Sequence, residues 1–239
     1  MDDVDLRREL RGAVYRGDAD AILALLPTMA PTDCLQLGGD GLLLALDEDA
    51  SGATEQSRAW VGKLRERDWA GDAELADEFA ARLGTGVAPT LRPLPVDLDQ
   101  LSDVLEGDPA EGGGRIDLRT GEVWPQYALE YEREMRLLNE DDEDDEAWWI
   151  PVGCEGSRHG YRDMQHFVDA LPDPDRRDRL EIALQGRGAF RRFRDVLARW
   201  PDDFRWWSAF ADERRRGRAR AWLAGTGYRV APRREHGEP

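Results

Sequence analysis

One stretch constrains the fold more than any other: RIDLRTGEVWP, Arg115 to Pro125, where the periodicity of the chain changes. Ile116 and Leu118 alternate with Arg115, Asp117 and Arg119, Thr120-Gly121 turns the chain, and EVW returns. That is the pattern of a two-stranded hairpin with one apolar face. A third strand is expected at AWWIPV, residues 147–152. Alternation of period two is absent from the first 84 residues, where apolar residues recur at helical spacing, as with Leu6, Leu10 and Val14. Helical patterns also fill the chain from Ser157 onward. The fold class that follows is α+β and mostly helical, with a small antiparallel sheet packed against C-terminal helices.

Boundaries follow from proline and glycine. GTGVAPTLRPLPVDLD, beginning at Gly84, places three prolines and two glycines in sixteen residues. The sequence therefore predicts a helical module over 1–85, a Pro/Gly-rich link over 86–96, an α+β domain over 97–230 and a polar tail over 231–239. Within the first module DGLLLAL is a short, very apolar segment. No apolar run approaches the ~20 residues that span a bilayer. The polar, acidic start MDDVDLRREL does not have the pattern of a secretory signal. The expected location is cytoplasmic, with Cys34 and Cys154 as free thiols.

The formal net charge is −17, but its distribution matters more than its total. Residues 95–175 hold 6 basic and 23 acidic side chains, whereas residues 176–234 hold 17 arginines against 7 acids. Two such segments in one domain are each other's nearest counter-charge. The opening of the basic part, GRGAFRRFRD, puts Arg187, Arg191 and Arg194 on one helical face and Phe190, Phe193, Leu197 and Trp200 on another. Two readings stay open: a core helix with solvated arginines, or an anion site fed by the backbone around Gly186 and Gly188. On the first reading the three arginines face acids of the middle segment.

Other candidates are weaker. Asp117 and Glu122 flank the hairpin turn, where two carboxylates could act as acid and base or hold a metal; paired with Arg115 and Arg119 they would instead be ordinary surface residues. Trp124 and Trp206 are aromatic contact candidates beside the arginines, in the mixture that single-stranded nucleic acid binders use. NEDDEDDE, residues 139–146, lacks the glycine and terminal glutamate of a calcium loop and reads as a solvated run. His159 and His166 have no third ligand nearby, so no metal or cofactor is expected.

The order of motifs carries a resemblance. IDLRTGEV, the WWIP strand, GYRDMQHFVDAL, GRGAFRRFRDVL, a Trp-rich helix and RARAWL follow one another as in the bacterial uncharacterised protein family 0158, which this chain resembles over about 95–230. The resemblance implies a bacterial, soluble protein and brings no established activity or catalytic residues. The function expected from the residues is a non-catalytic protein-interaction or regulatory module with an unknown protein partner. The alternative is a nucleic-acid- or phosphate-binding protein, or a metal-dependent enzyme built on Asp117 and Glu122.

Overall fold

The structure is a computed structural model and describes residues 3–30, 34–135 and 146–231. Five helices come first: α1 (Asp3–Arg16), α2 (Ala19–Leu25), α3 (Leu35–Asp47), α4 (Ala53–Arg67) and α5 (Asp72–Arg82). They close around Leu10, Ile22, Leu37, Trp60, Leu64 and Phe79. DGLLLAL is the second half of α3, the central helix of this group. Its apolar side chains point in several directions because neighbours cover it on several sides. Gly38, Gly39 and Gly41 make that possible: a Cβ on any of them would meet Leu26 and Trp60, Leu75, or Ile22.

The stretch read as a link contains β1 (Arg92–Leu94), which pairs in parallel with β5 (Tyr228–Val230) near the end of the chain. Asp97 then caps α6 (Leu98–Leu105), accepting from the backbone N–H of Asp99 at 2.8 Å. The hairpin forms as its alternation predicts: β2 (Gly114–Asp117) and β3 (Val123–Pro125) are antiparallel, and Gly121 holds a positive φ in the turn. The third strand, β4 (Trp149–Val152), joins the other edge of β2, giving the order β3-β2-β4. On one face of this sheet Ile116, Val123 and Val152 are buried against α6 and against Ala219 and Leu223 of the last helix.

After β3 runs α7 (Gln126–Glu134), and after β4 come α8 (Arg158–Ala170), α9 (Pro174–Leu184), α10 (Ala189–Leu197) and α11 (Pro201–Gly225). Met164, Phe167, Leu180, Phe193, Leu197 and Phe210 form the core of these C-terminal helices. Rings of Phe167, Phe193 and Trp207 meet edge to face at 4.9–6.3 Å. Phe190 does not join that stripe; it is 42% exposed at the first turn of α10, above Gly160. Helical spacing gave its direction correctly only for residues that α8 and α11 reach.

At 25 residues α11 is about 37 Å long; it contributes Phe210 to the core of the C-terminal helices and Ala219 and Leu223 to the core under the sheet, and packs beside the N-terminal group. Its first half packs on α8 and α10, its second half on α6 and the sheet, and one flank on α3 and α5. The chain is therefore α+β and mostly helical, with its sheet packed on the C-terminal helix. Among the described residues no helix is long and apolar enough to cross a membrane.

Candidate functional site

The hairpin places Asp117 and Glu122 in different environments. Asp117 is buried, and its carboxylate accepts from the backbone N–H of Arg119 at 2.8 Å and from the Arg119 guanidinium at 2.8–3.3 Å. Burial pushes its pKa up, but the hydrogen bonds and charge of Arg119 outweigh that and hold it below the usual carboxylate value. Glu122 is exposed; its backbone carbonyl accepts from the Asp117 N–H at 3.0 Å. This is the bonding of a turn that fastens itself. Among the described residues no group of three or more His, Cys, Asp or Glu is placed to hold a metal ion. His159 pairs with Glu155 at 2.9 Å.

The other sheet face carries Trp124, opposite Arg115 in register, with Pro151 on the far side of the same rung. Trp124 and Arg115 are half-buried and Pro151 is exposed. Trp206, also half-buried, rests at 4.8 Å from the ring of Phe167 on α8.

Arg187, Arg191 and Arg194 are all exposed around α10. Arg191 reaches Asp195 of its own helix at 3.7 Å, and among the described residues Arg187 and Arg194 meet no carboxylate. Arg192 is the arginine the loop uses: it donates to the carbonyls of Ala183, Gln185 and Arg187, closing the C-terminal end of α9. The basic and acidic segments do neutralise each other, but through α11. Arg216 bonds Asp99 at 2.6 Å, Arg218 bonds Glu106 at 2.8 Å through its Nε, and Arg215 bonds Asp103 at 2.5 Å. Arg214 pairs with Asp163 of α8. Position explains the difference, since α11 runs through the middle of the molecule and α10 lies at its edge.

A second surface was not singled out by the sequence. In α7 and just beyond it, Tyr127, Tyr131 and Met135 recur at i, i+4 and i+8, spacing that usually marks a core face. Here they are 65%, 58% and 54% exposed, while among the described side chains of α7 Leu129 is the buried one. Glu130 is exposed between them. The sequence around them, residues 122–146, holds eleven acids against two arginines. An apolar stripe within an acidic stretch of sequence is the result, on the helix that leaves the strand of Trp124.

A model of the uncharacterised protein family UPF0158 matches residues 116–236. The chain belongs to this family. The UPF0158 segment runs from the middle of β2 to beyond β5 and so contains α7, its exposed stripe, the α10 arginines and all of α11. Helices α1–α6 precede it. No curated protein and no solved structure matches the chain.

Proposed function

We propose that the protein is a non-catalytic interaction module that docks a basic segment of a partner protein on the face of α7. The observation that carries this reading is the stripe of Tyr127, Tyr131 and Met135. Three large side chains more than half exposed on one helical face, beside a half-buried Trp124, are the anchors that protein interfaces favour. The charge of the surrounding sequence selects the partner: a stretch with eleven acids in residues 122–146 attracts lysine and arginine and repels a polyanion. Asp117 lends little support to metal chemistry, because both its oxygens accept from Arg119.

The test compares the intact protein with a Tyr127→Ala/Tyr131→Ala/Met135→Ala variant, whose side chains contribute little to the core. Cross-linking in cells followed by affinity capture is run with both. Support is a protein that the parent retains, that releases at high salt, and that the well-folded triple variant loses. A retained set that is unchanged by the triple variant but lost on reversing Arg187, Arg191 and Arg194 to glutamate would overturn the proposal, especially if that set is nucleic acid.

A further inference from the structure

Between α1 and the start of α11 lies a cavity of about 490 Å³. Arg7, Arg8 and Arg11 of α1 line one side, and Arg205, Trp206 and Asp212 of α11 line the other. The volume falls within the range of small-molecule sites, roughly 300–1,000 Å³. Its electrostatics oppose those of the whole molecule: guanidinium groups outnumber the two carboxylates, Asp202 and Asp212, in a chain of net charge −17.

Arg7 decides what the cavity takes. Its side chain is 14% exposed, and its nearest carboxylate, Asp212, stands at 3.5 Å and is shared with Arg11 at 3.5 Å. The Arg7 Nη1 is buried and has no hydrogen-bond partner. That nitrogen is closed off from the cavity, so the donors an oxyanion meets there are the exposed guanidinium N–H groups of Arg7 and Arg11 that line it. Asp212 lies between the two guanidiniums and Asp99 reaches Arg11 at 3.6 Å, but all three contacts are long and leave donors over. A phosphate has enough oxygens to serve them without displacing Asp212. Trp206 adds the second requirement. It lines the cavity and packs its ring 4.8 Å from that of Phe167, and together with Met29 it gives the cavity an aromatic and apolar wall that suits a planar ring.

We propose that this cavity binds a small phosphate ester carrying a planar ring, of the size class of a mononucleotide, with its phosphate on Arg7 and Arg11 and its ring on Trp206. This site is separate from the α7 face and does not depend on it.

The full-length protein is titrated calorimetrically with adenosine monophosphate, inorganic phosphate and adenosine. Expected is one saturable site for the monophosphate, with phosphate weaker by roughly tenfold or more and adenosine weaker still. Affinity falls as salt is raised. Arg7→Gln lowers the affinity by about tenfold or more. Because Arg7 is largely buried, Ser208→Asp is measured beside it: Ser208 lines the cavity but is exposed, so an added carboxylate there repels the phosphate without disturbing the core. Loss of binding in Ser208→Asp with an unchanged circular dichroism spectrum supports the proposal. Absence of monophosphate binding at millimolar concentration, equal affinity for inorganic phosphate and the monophosphate, or parent-like binding by Ser208→Asp overturns it.

Discussion

Replacing Glu213 by alanine tests how α11 is held, and the structure gives the size of the effect. The Glu213 side chain is fully buried and serves two helices at once. One oxygen accepts from the backbone N–H of Gln36 at 2.7 Å and from Arg67 at 2.9 Å; the other accepts from the N–H of Leu37 at 3.3 Å. Gln36 and Leu37 lie in the first turn of α3, whose N-cap residue, Cys34, makes no side-chain capping bond to the helix. A carboxylate from α11 therefore caps α3 and answers its positive end. Arg67 is held by Asp72 as well, at 2.7 and 2.9 Å, and Asp72 accepts from the Gln36 amide at 2.7 Å. Removing Glu213 thus leaves Arg67 partly uncompensated and strands two N–H groups. Breaking such a buried pair costs about 3–5 kcal/mol. For a chain of this length that is a fall of roughly 6–20 °C in Tm, at about 2–4 °C per kcal/mol. Glu213→Gln keeps the shape and one acceptor oxygen but drops the charge and turns the other oxygen into an NH2 donor, for about 1–3 kcal/mol. Arg191→Ala, which loses an exposed pair, is the control at no more than about 1 kcal/mol. Urea denaturation followed by tryptophan fluorescence reads all three. The reasoning is refuted if Glu213→Ala lies within about 1 kcal/mol of the parent, or if Glu213→Gln is the more damaging change.

Two further outcomes rest on the same junction. Gly217 of α11 lies against Ala70 so closely that an added Cβ would run into the Ala70 carbonyl oxygen, and a Cβ on Gly71 would run into that of Gly217. Gly217→Ala should cost about 1–3 kcal/mol or more in thermal unfolding, and unchanged stability would mean that this backbone contact does not set the crossing. Asp40 has a side chain only 10% exposed, and this desolvation raises its pKa, but Arg220 and Arg216 outweigh that and hold it below its ordinary value of 3.8. A carboxylate depressed in the folded state stabilises above its unfolded pKa, about 3.9, and loses that contribution as pH falls through the folded value. The stability gap between the parent and Asp40→Asn should therefore be constant from about pH 5 to 7 and narrow below about pH 4. A gap that widens in acid would reverse the sign of the coupling.

Parts of this were legible in the sequence. The hairpin was, because alternation, a Thr-Gly turn and flanking apolar residues all specify one register, and Gly121 takes the φ that the turn needs. So was the length of α11, whose proline start and glycine end bracket a continuous helical pattern. What periodicity does not carry is which apolar stripe another element will cover. Phe193 and Leu197 found α8 and α11, whereas Phe190 in the same stripe remained open, and so did Tyr127, Tyr131 and Met135. Charge had the same limit. Opposite nets in 95–175 and 176–234 foretold mutual pairing, but not that α11 would do it while Arg187, Arg191 and Arg194 faced outward. The Glu213 network joins residues more than 170 positions apart. Its signal was local all the same: Glu213, Arg216, Gly217 and Arg220 fall at i, i+3, i+4 and i+7, a polar face with a glycine inside an otherwise packed helix.

That face also bears on how the UPF0158 segment stands in this molecule. The matched residues begin at 116, yet the groups that satisfy the face all come earlier. Glu213 is met by Arg67 and the start of α3; Arg216 by Asp40 and Asp99; Arg220 by Gln36 at 2.7 Å and by Asp40. Buried ions tolerate no vacancy, because desolvation without a partner costs several kcal/mol each. A helix with this face cannot rest on the matched segment alone. In this chain α3, α4, α5 and α6 supply the missing half, so that the first hundred residues act toward α11 as a partner protein would, through hydrogen-bonded charges and one glycine-to-backbone contact. Among the described residues nothing comparable covers Tyr127, Tyr131 and Met135 of the α7 face. Of the two faces that the family segment presents, one is satisfied from within the chain, whereas on the other Tyr127, Tyr131 and Met135 are more than half exposed, which is why the proposed docking is placed there.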